Sequence, residues 1–338
     1  MGRLLKILKS LDPFLLGLFA VVVAASVFPV RGAAAAWTSA TADLAIVLLF
    51  FIHGAKLSRA AIVQGIGNWP LHLLVLGSTY VLFPVLGLGL ASSMRGWISP
   101  LLLSGLLYLS LLPSTVQSSI AFTSIARGNV AAAVCSASLS NLLGIFVTPL
   151  LAALLMQHSA KGGVAFSWDS VRTIAQQLLA PFLAGHFLRP WIGAFIERNK
   201  AFLQPIDRGS ILIVVYSAFS AAVIQGIWTR VGALDLLALL VLSAVMLAVV
   251  MGANVFAARL AGLPREDGIV LLFCGSKKSL VTGVPMAGAL FAPAQVGMIV
   301  LPLMIFHQLQ LLVCAVLAAR LRREQDQRGA MEGQRSPV

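Results

Sequence analysis

The stretch Gly268-IVLLFCGSKKSLVTGVPMAGAL-Phe291 decides how this chain is read. It is long and apolar enough to cross a bilayer, yet Lys277 and Lys278 stand side by side about 10 residues from its start. At about 1.5 Å per residue that is about 15 Å deep, near the middle of a hydrocarbon core about 30 Å thick. A charged lysine there costs roughly 2.5–3.5 kcal/mol. Two of them require partners, a wet cavity or a ligand.

The rest of the chain has the same apolar character. Of 338 residues, 59% are hydrophobic and 10% charged, with mean hydropathy +0.96. Soluble domains carry about 25% charged residues. The composition implies an all-α polytopic membrane protein. Ten spans are expected: Phe14–Val30, Thr41–Ala55, Pro70–Ala91, Ser99–Ala126, Asn129–Met156, Val171–Phe187, Gly209–Trp228, Leu236–Leu260, Gly268–Phe291 and Pro293–Ala319. The second and sixth are short. Asp12-Pro13 looks like a cap and first-turn proline of the first span, not a cleavage region.

With the N-terminus in the cytoplasm, 17 basic residues fall in cytoplasmic loops and termini and 5 on the other side. That bias predicts cytoplasmic N- and C-termini in a plasma (inner) membrane protein. It also accounts for the net charge of +13 without a nucleic-acid partner, since basic loops face an anionic leaflet. Cys135, Cys274 and Cys314 fall within spans, at spacings that fit neither a metal site nor a disulfide framework. The segment 320–338 is polar and expected to be a disordered tail.

Ten spans divide into five and five, so the second half must lie inverted on the first. The expected division is residues 1–156 and 157–319, two inverted five-helix repeats of the kind common in secondary transporters. Leu111–Ser119 (LLPSTVQSS) in the fourth span and Leu272–Leu280 (LFCGSKKSL) in the ninth are polar interruptions at matching places. Pro113 removes a backbone donor, and Gly275 permits close approach or unusual backbone angles. Broken backbone at membrane depth persists only where protein or water covers it. Two broken, crossing helices 4 and 9 would therefore enclose a polar site.

The candidate substrate- and ion-binding residues are Ser114, Thr115, Gln117, Ser118, Ser119, Ser138, Asn141, Ser276, Lys277, Lys278, Ser279, His307 and Gln308. No acidic residue reads as mid-span, Asp43 coming closest near the start of the second span. The lysines must then meet backbone carbonyls, a helix C-terminus or an anionic ligand, or one of them is neutral. Adjacent helical residues point about 100° apart, so both face one cavity only if the backbone is unwound. Our expectation is that Lys277 faces the crossing while Lys278 locks structure or meets substrate. The structural alternative is that both cap the half-helix ending in span four. For Asn141 and His307 the alternative is interhelical hydrogen bonding, and His53 and His186 read as interfacial. No HExxH, GxSxG, P-loop or intramembrane aspartate pair is present, so no enzyme is expected.

At these residues the chain resembles the bile acid:sodium symporter superfamily, in its SBF-like branch. The motifs are Leu11-Asp12-Pro13-Phe14, Phe50–Ser58 (FFIHGAKLS), Asn68–Val75 (NWPLHLLV), the long run Ser110–Pro149, Phe273–Ala287 (FCGSKKSLVTGVPMA) and Met304–Ala318 (MIFHQLQLLVCAVLA). The resemblance spans essentially the whole chain. It implies ten helices in two inverted repeats, helices 4 and 9 crossing in a core domain that moves against a panel domain, and sodium-coupled transport of a small organic anion. The family's sodium ligands after the helix-4 proline, a Ser and an Asn, fall here on Ser118 and Ser119. Its helix-5 hydroxyls fall on Ala133 and Ala137, and its helix-9 Glu and Gln on Phe273 and Lys277. Those departures suggest that a Lys277 ammonium stands in for a sodium ion, or that Lys277 titrates and couples transport to protons. Alternatively, sodium keeps a rebuilt site near Ser118, Ser119, Ser138 and Asn141. No resident cofactor is expected. A transport-deficient membrane regulator or scaffold of the same fold is the competing reading.

Overall fold

The computed structural model describes residues 13–56, 68–156 and 175–335, and they are almost wholly helical. The helices are α1 (Pro13–Val27), α2 (Ala33–Lys56), α3 (Trp69–Ser93), α4 (Pro100–Leu111), α5 (Gln117–Ile125) and α6 (Val130–Met156). They continue as α7 (Gln176–Arg198), α8 (Lys200–Ile224), the single turn α9 (Ile227–Arg230), α10 (Ala233–Leu260), α11 (Arg265–Gly275), α12 (Leu280–Leu290) and α13 (Pro293–Arg335). Among the described residues, 8 segments are long and apolar enough to cross a membrane, with α11 and α12 together forming one of them. Two shorter apolar helices, Leu16–Val27 and Pro100–Leu111, occupy the places of the expected first and fourth spans. Exposed valines recur every fourth residue on α10 (Val241, Val245, Val249), the outward stripe of a helix bathed in lipid.

The second and sixth spans are longer than expected. A start at Thr41 treats Thr38, Ser39 and their neighbours as loop. In α2 the Thr38 and Thr41 hydroxyls donate to the Ala34 and Trp37 carbonyls, each at 2.8 Å, so the helix absorbs its own polar groups. Asp43 is therefore near the middle of a 24-residue helix, which corrects the expectation that no acid sits mid-span. The sixth continues through Pro190 to Arg198, where Arg189 and Glu197 pair at 3.6 Å. The tail expectation is also corrected up to Arg335. α13 runs on past Ala319, helped by an Arg320–Glu324 pair one turn apart and by Arg127 bonding Asp326 at 2.6 Å. Asp12, expected as the first cap, lies outside the described residues.

The chain divides into two compact units that draw on both halves of the sequence. The first comprises Met1–Leu57, Val164–Gly232 and Val284–Val300. In it α2 packs on α7 with backbones nearly touching: a Cβ at Gly54 would fall 2.0 Å from the Phe182 carbonyl oxygen, and one at Gly185 equally close to Phe51. Lys56 pairs with Asp207 beside this crossing. The second comprises Ser58–Gly163, Ala233–Gly283 and Leu301–Val338. It holds the broken helices, and every residue from Ile269 to Leu280 in it is buried. At one end Asp267 accepts from Asn68 at 2.7 Å and from Asn129 at 2.9 Å, and Arg265 donates to the Leu321 carbonyl at 2.9 Å. These contacts join residues that the charge count assigns to one side of the membrane.

Candidate functional site

Both expected breaks exist and they meet within the second unit. α4 stops at Leu111, the chain turns extended at Leu112, and α5 restarts at Gln117. α11 stops at Gly275, residues 276–279 are unwound, and α12 restarts at Leu280. Several bonds tie the breaks together, two of them from the turns themselves. The Ser279 N–H donates to the Pro113 carbonyl at 2.9 Å, and the Ser114 hydroxyl donates to the Cys274 carbonyl at 2.5 Å. Gly275 serves close approach, not positive φ: a Cβ there would meet the Asn254 amide nitrogen at 2.8 Å.

A broken helix leaves its last carbonyls without partners, and burial makes that costly. At the end of α11, hydroxyls satisfy them one by one. Ser276 bonds Leu272, Ser119 bonds Phe273 at 3.2 Å, Ser114 bonds Cys274, and Ser78 bonds Gly275 at 2.9 Å. At the end of α4 the main donor is Lys278. Its ammonium gives all three protons away: to Ser110 at 2.7 Å, to Leu112 at 2.7 Å, and to Thr79 at 2.8 Å in the π turn Ser78–Leu82 of α3. The Phe83 ring centroid lies 4.2 Å from the same nitrogen. Thr148 covers Leu111 at 2.8 Å. Lys278 thus sits in a cage of oxygen acceptors at the negative end of a half-helix, with its charge answered.

Lys277 is also 0% exposed, but its surroundings differ. Among the described residues its ammonium makes one hydrogen bond, to the Ser118 hydroxyl at 3.3 Å. Phe122 and Phe273 present ring faces at 4.5 and 5.9 Å. Cation–π contacts answer part of the charge. Ser118 is half-buried and Gln117 beside it is exposed, so the one hydroxyl that Lys277 reaches belongs to the partly exposed, polar start of α5. Because the chain is unwound at the pair, the two lysines diverge to different surroundings, so the alternative of a joint cap fits Lys278 alone.

The remaining candidates fall unevenly. Thr115, Ser118 and Ser119 form a chain of hydroxyls, each link 2.9 Å. Asn141 donates to the Ser114 carbonyl at 2.7 Å and to Ala137 at 3.0 Å, which orients its NH₂ toward the break. Ser138 is half-buried on α6 and the described bonds do not link it to the break. Gln308 is half-buried, and among the described residues its amide nitrogen has no partner. The residue that clamps the ninth-span break is Gln310, which sequence reasoning passed over. Its carbonyl accepts the Lys278 N–H at 2.8 Å, and its NH₂ donates to the Lys278 carbonyl at 2.9 Å and to His307 Nδ1 at 2.7 Å. The signal was spacing: Gln310 is three residues from His307 and shares its face, whereas Gln308 does not. Ser140 and Thr148 were missed likewise. With Ser136 and Gly144 they repeat every fourth residue along α6, one small, polar face turned to the fourth-span break.

Residues 12–323 match the SBF-like CPA transporter family (DUF4137). The chain belongs to that family. It is 54% identical to the Escherichia coli (strain K12) protein named "Putative symporter YfeH", over 97% of this chain and 98% of that one. It is 26% identical to sodium/bile acid cotransporter 7 of Rattus norvegicus over 91% of this chain and 92% of that one, and 28% identical to cotransporter 7-B of Xenopus laevis over 95% and 94%. It is a multi-pass membrane protein of the bile acid:sodium symporter superfamily.

Proposed function

We propose that the protein is a secondary active transporter that moves a small organic anion by alternating access, with Lys277 as the cation that meets the anion. One observation carries this reading. Of two adjacent buried ammonium groups, Lys278 is saturated by backbone carbonyls while Lys277 keeps donors to spare. A half-compensated buried charge bonded to the polar start of α5 calls for an anionic partner. The half-helix start at Gln117–Ser119 adds backbone N–H groups of the same preference.

The relatives' sodium enters the proposal as a transported ion. The hydroxyls of Thr115, Ser118 and Ser119 are suitable oxygen ligands, but the Lys277 ammonium is 3.3 Å from Ser118. Two unit positive charges 4 Å apart repel by about 4 kcal/mol at an effective dielectric of about 20. A charged Lys277 and a sodium ion at Ser118 therefore exclude one another. On this reading sodium does not bind there, and the ammonium takes over its electrostatic part. Ten helices in two inverted repeats, cytoplasmic termini and an inner-membrane location complete the proposal, supported by the paired breaks and by the contacts among residues on the basic side.

The test is uptake of a panel of organic anions into proteoliposomes under imposed sodium or proton gradients, for the wild type and Lys277→Gln. Saturable uptake that survives without sodium and fails in the variant is expected. Sodium-dependent uptake unchanged in Lys277→Gln contradicts the role of Lys277. A transport-deficient scaffold is the second reading, favoured by the 0% exposure of Lys277. No uptake of any anion under either gradient would support it.

A further inference from the structure

The aromatic ring nearest Lys277 reaches the surface of its unit, whereas the ring at Lys278 does not. Phe83, against Lys278, is 0% exposed and packs edge-on to Phe306 with centroids 5.9 Å apart. Phe273, the second ring at Lys277, is also 0% exposed. Phe122 is half-buried, and its centroid is the nearer of the two to the Lys277 nitrogen. It leans on Phe273 with centroids 6.0 Å apart and a tilt of 39°. Phe122 lies one turn from Ser118 on α5, so the ring and the hydroxyl that meet Lys277 share one face of that half-helix. The residues turned into the core from α5 are Ser119 and Thr123.

These neighbours leave Lys277 fully buried, with two of its three protons given to no hydrogen-bond acceptor among the described residues. A buried charge needs an answer, and here a ring face supplies it. That answer differs in kind from the carbonyl cage of Lys278. Giving it up breaks no hydrogen bond, and it is carried by one side chain that turns on two torsions. With Phe273 buried, the approach to the ammonium from the surface runs past Ser118 and Phe122. An anionic group that bonds the spare protons of Lys277 must therefore take the place that the Phe122 ring now fills.

We propose that Phe122 is the placeholder for the anion: its ring covers and answers Lys277 while the carrier is empty, and turns aside when an anionic group bonds Lys277 and Ser118. This rests on the transporter reading above and names the residue that gates its site. It also gives the empty carrier a compensated charge, so that the unloaded protein can reorient without cargo. A ring that merely packs on Phe273 would do neither.

Two measurements test it. The first needs no transport. Ser118→Cys puts a thiol at the Lys277 contact, and purified protein is treated with an anionic methanethiosulfonate (the ethylsulfonate) or a cationic one (the ethyltrimethylammonium). Residue 122 is Phe, Tyr, Leu or Ala in the four proteins compared. Phe122→Leu keeps apolar bulk should Phe122→Ala not fold. The same proteins with Ser118 intact give the background from the three buried cysteines. Modification by the anionic reagent about tenfold faster in Phe122→Leu and Phe122→Ala than in Phe or Tyr is the expected result, the weight of a cation–π contact. The cationic reagent should gain little, and adding Lys277→Gln should abolish the difference between reagents. Rates that ignore residue 122, or that rise equally for both reagents, overturn the placeholder. The second measurement compares net uptake with anion exchange in proteoliposomes, since only net uptake requires the empty carrier to return. Phe122→Leu should slow net uptake about tenfold and spare exchange, with Phe122→Tyr restoring net uptake. Equal loss of both in Phe122→Leu marks a structural role and overturns the proposal. If the wild type moves no anion at all, the transporter reading fails and the labelling still decides whether Phe122 holds the place of an anion.

Discussion

The two breaks pose one problem and solve it differently. α11 ends on four carbonyls answered by four neutral hydroxyls, from Ser276, Ser119, Ser114 and Ser78. α4 ends on carbonyls answered chiefly by one ammonium, Lys278, which also reaches the π turn of α3. A hydroxyl network shares the load, so losing one member exposes one carbonyl. An ammonium concentrates it, so losing that one side chain exposes three. The difference separates two lysines that look equivalent in sequence. Lys278 is held by three backbone carbonyls, and on the proposed reading its neighbour is the charge that meets the anion.

Breaking the concentrated side has the largest expected effect. Lys278→Met leaves three buried carbonyls bare, each at about 1–3 kcal/mol. Little folded protein should be recovered in detergent, and what remains should melt well below the wild type. Gln310→Leu comes next, since it strips both backbone groups of Lys278. At about 1–3 kcal/mol per unsatisfied group it should lower the melting temperature clearly while leaving some folded protein. On the hydroxyl side, Ser114→Ala exposes only the Cys274 carbonyl and should cost about 1–2 kcal/mol, measured in the same way. The smallest effect belongs to Gln308→Ala, within about 0.5 kcal/mol, because Gln308 holds nothing in the break. An inversion of this order, with Ser114→Ala worse than Lys278→Met, would break the comparison.

The breaks were legible in sequence because Pro113 and the lysine pair interrupt apolar runs, and interruption is a local property. For the lysines the sequence separated Lys277 from Lys278 but left Lys278 open between locking structure and meeting substrate. Once residues 276–279 unwind, helical periodicity no longer says where a side chain points. Gln308 was preferred over Gln310 for a similar reason: which of two glutamines faces a partner depends on the rotation of α13, which composition does not reveal. The short reading of the second span came from counting hydroxyls as polar when each folds back on its own helix. The helical continuation to Arg335 depends in part on Arg127, almost two hundred residues away in sequence, a contact that no local pattern announces.

The central claim is that the two lysines divide structure from transport, and Lys277→Gln tests it most directly when read on both scales at once. The account predicts a folded protein whose melting temperature stays within the equivalent of about 1 kcal/mol of the wild type, because Lys277 makes one long hydrogen bond in the resting structure. It also predicts uptake of the organic anion reduced about tenfold or more, the loss of a charge-assisted contact worth about 1.5–3 kcal/mol. A Lys277→Gln protein that transports as well as the wild type, or one that unfolds as Lys278→Met does, would contradict the account.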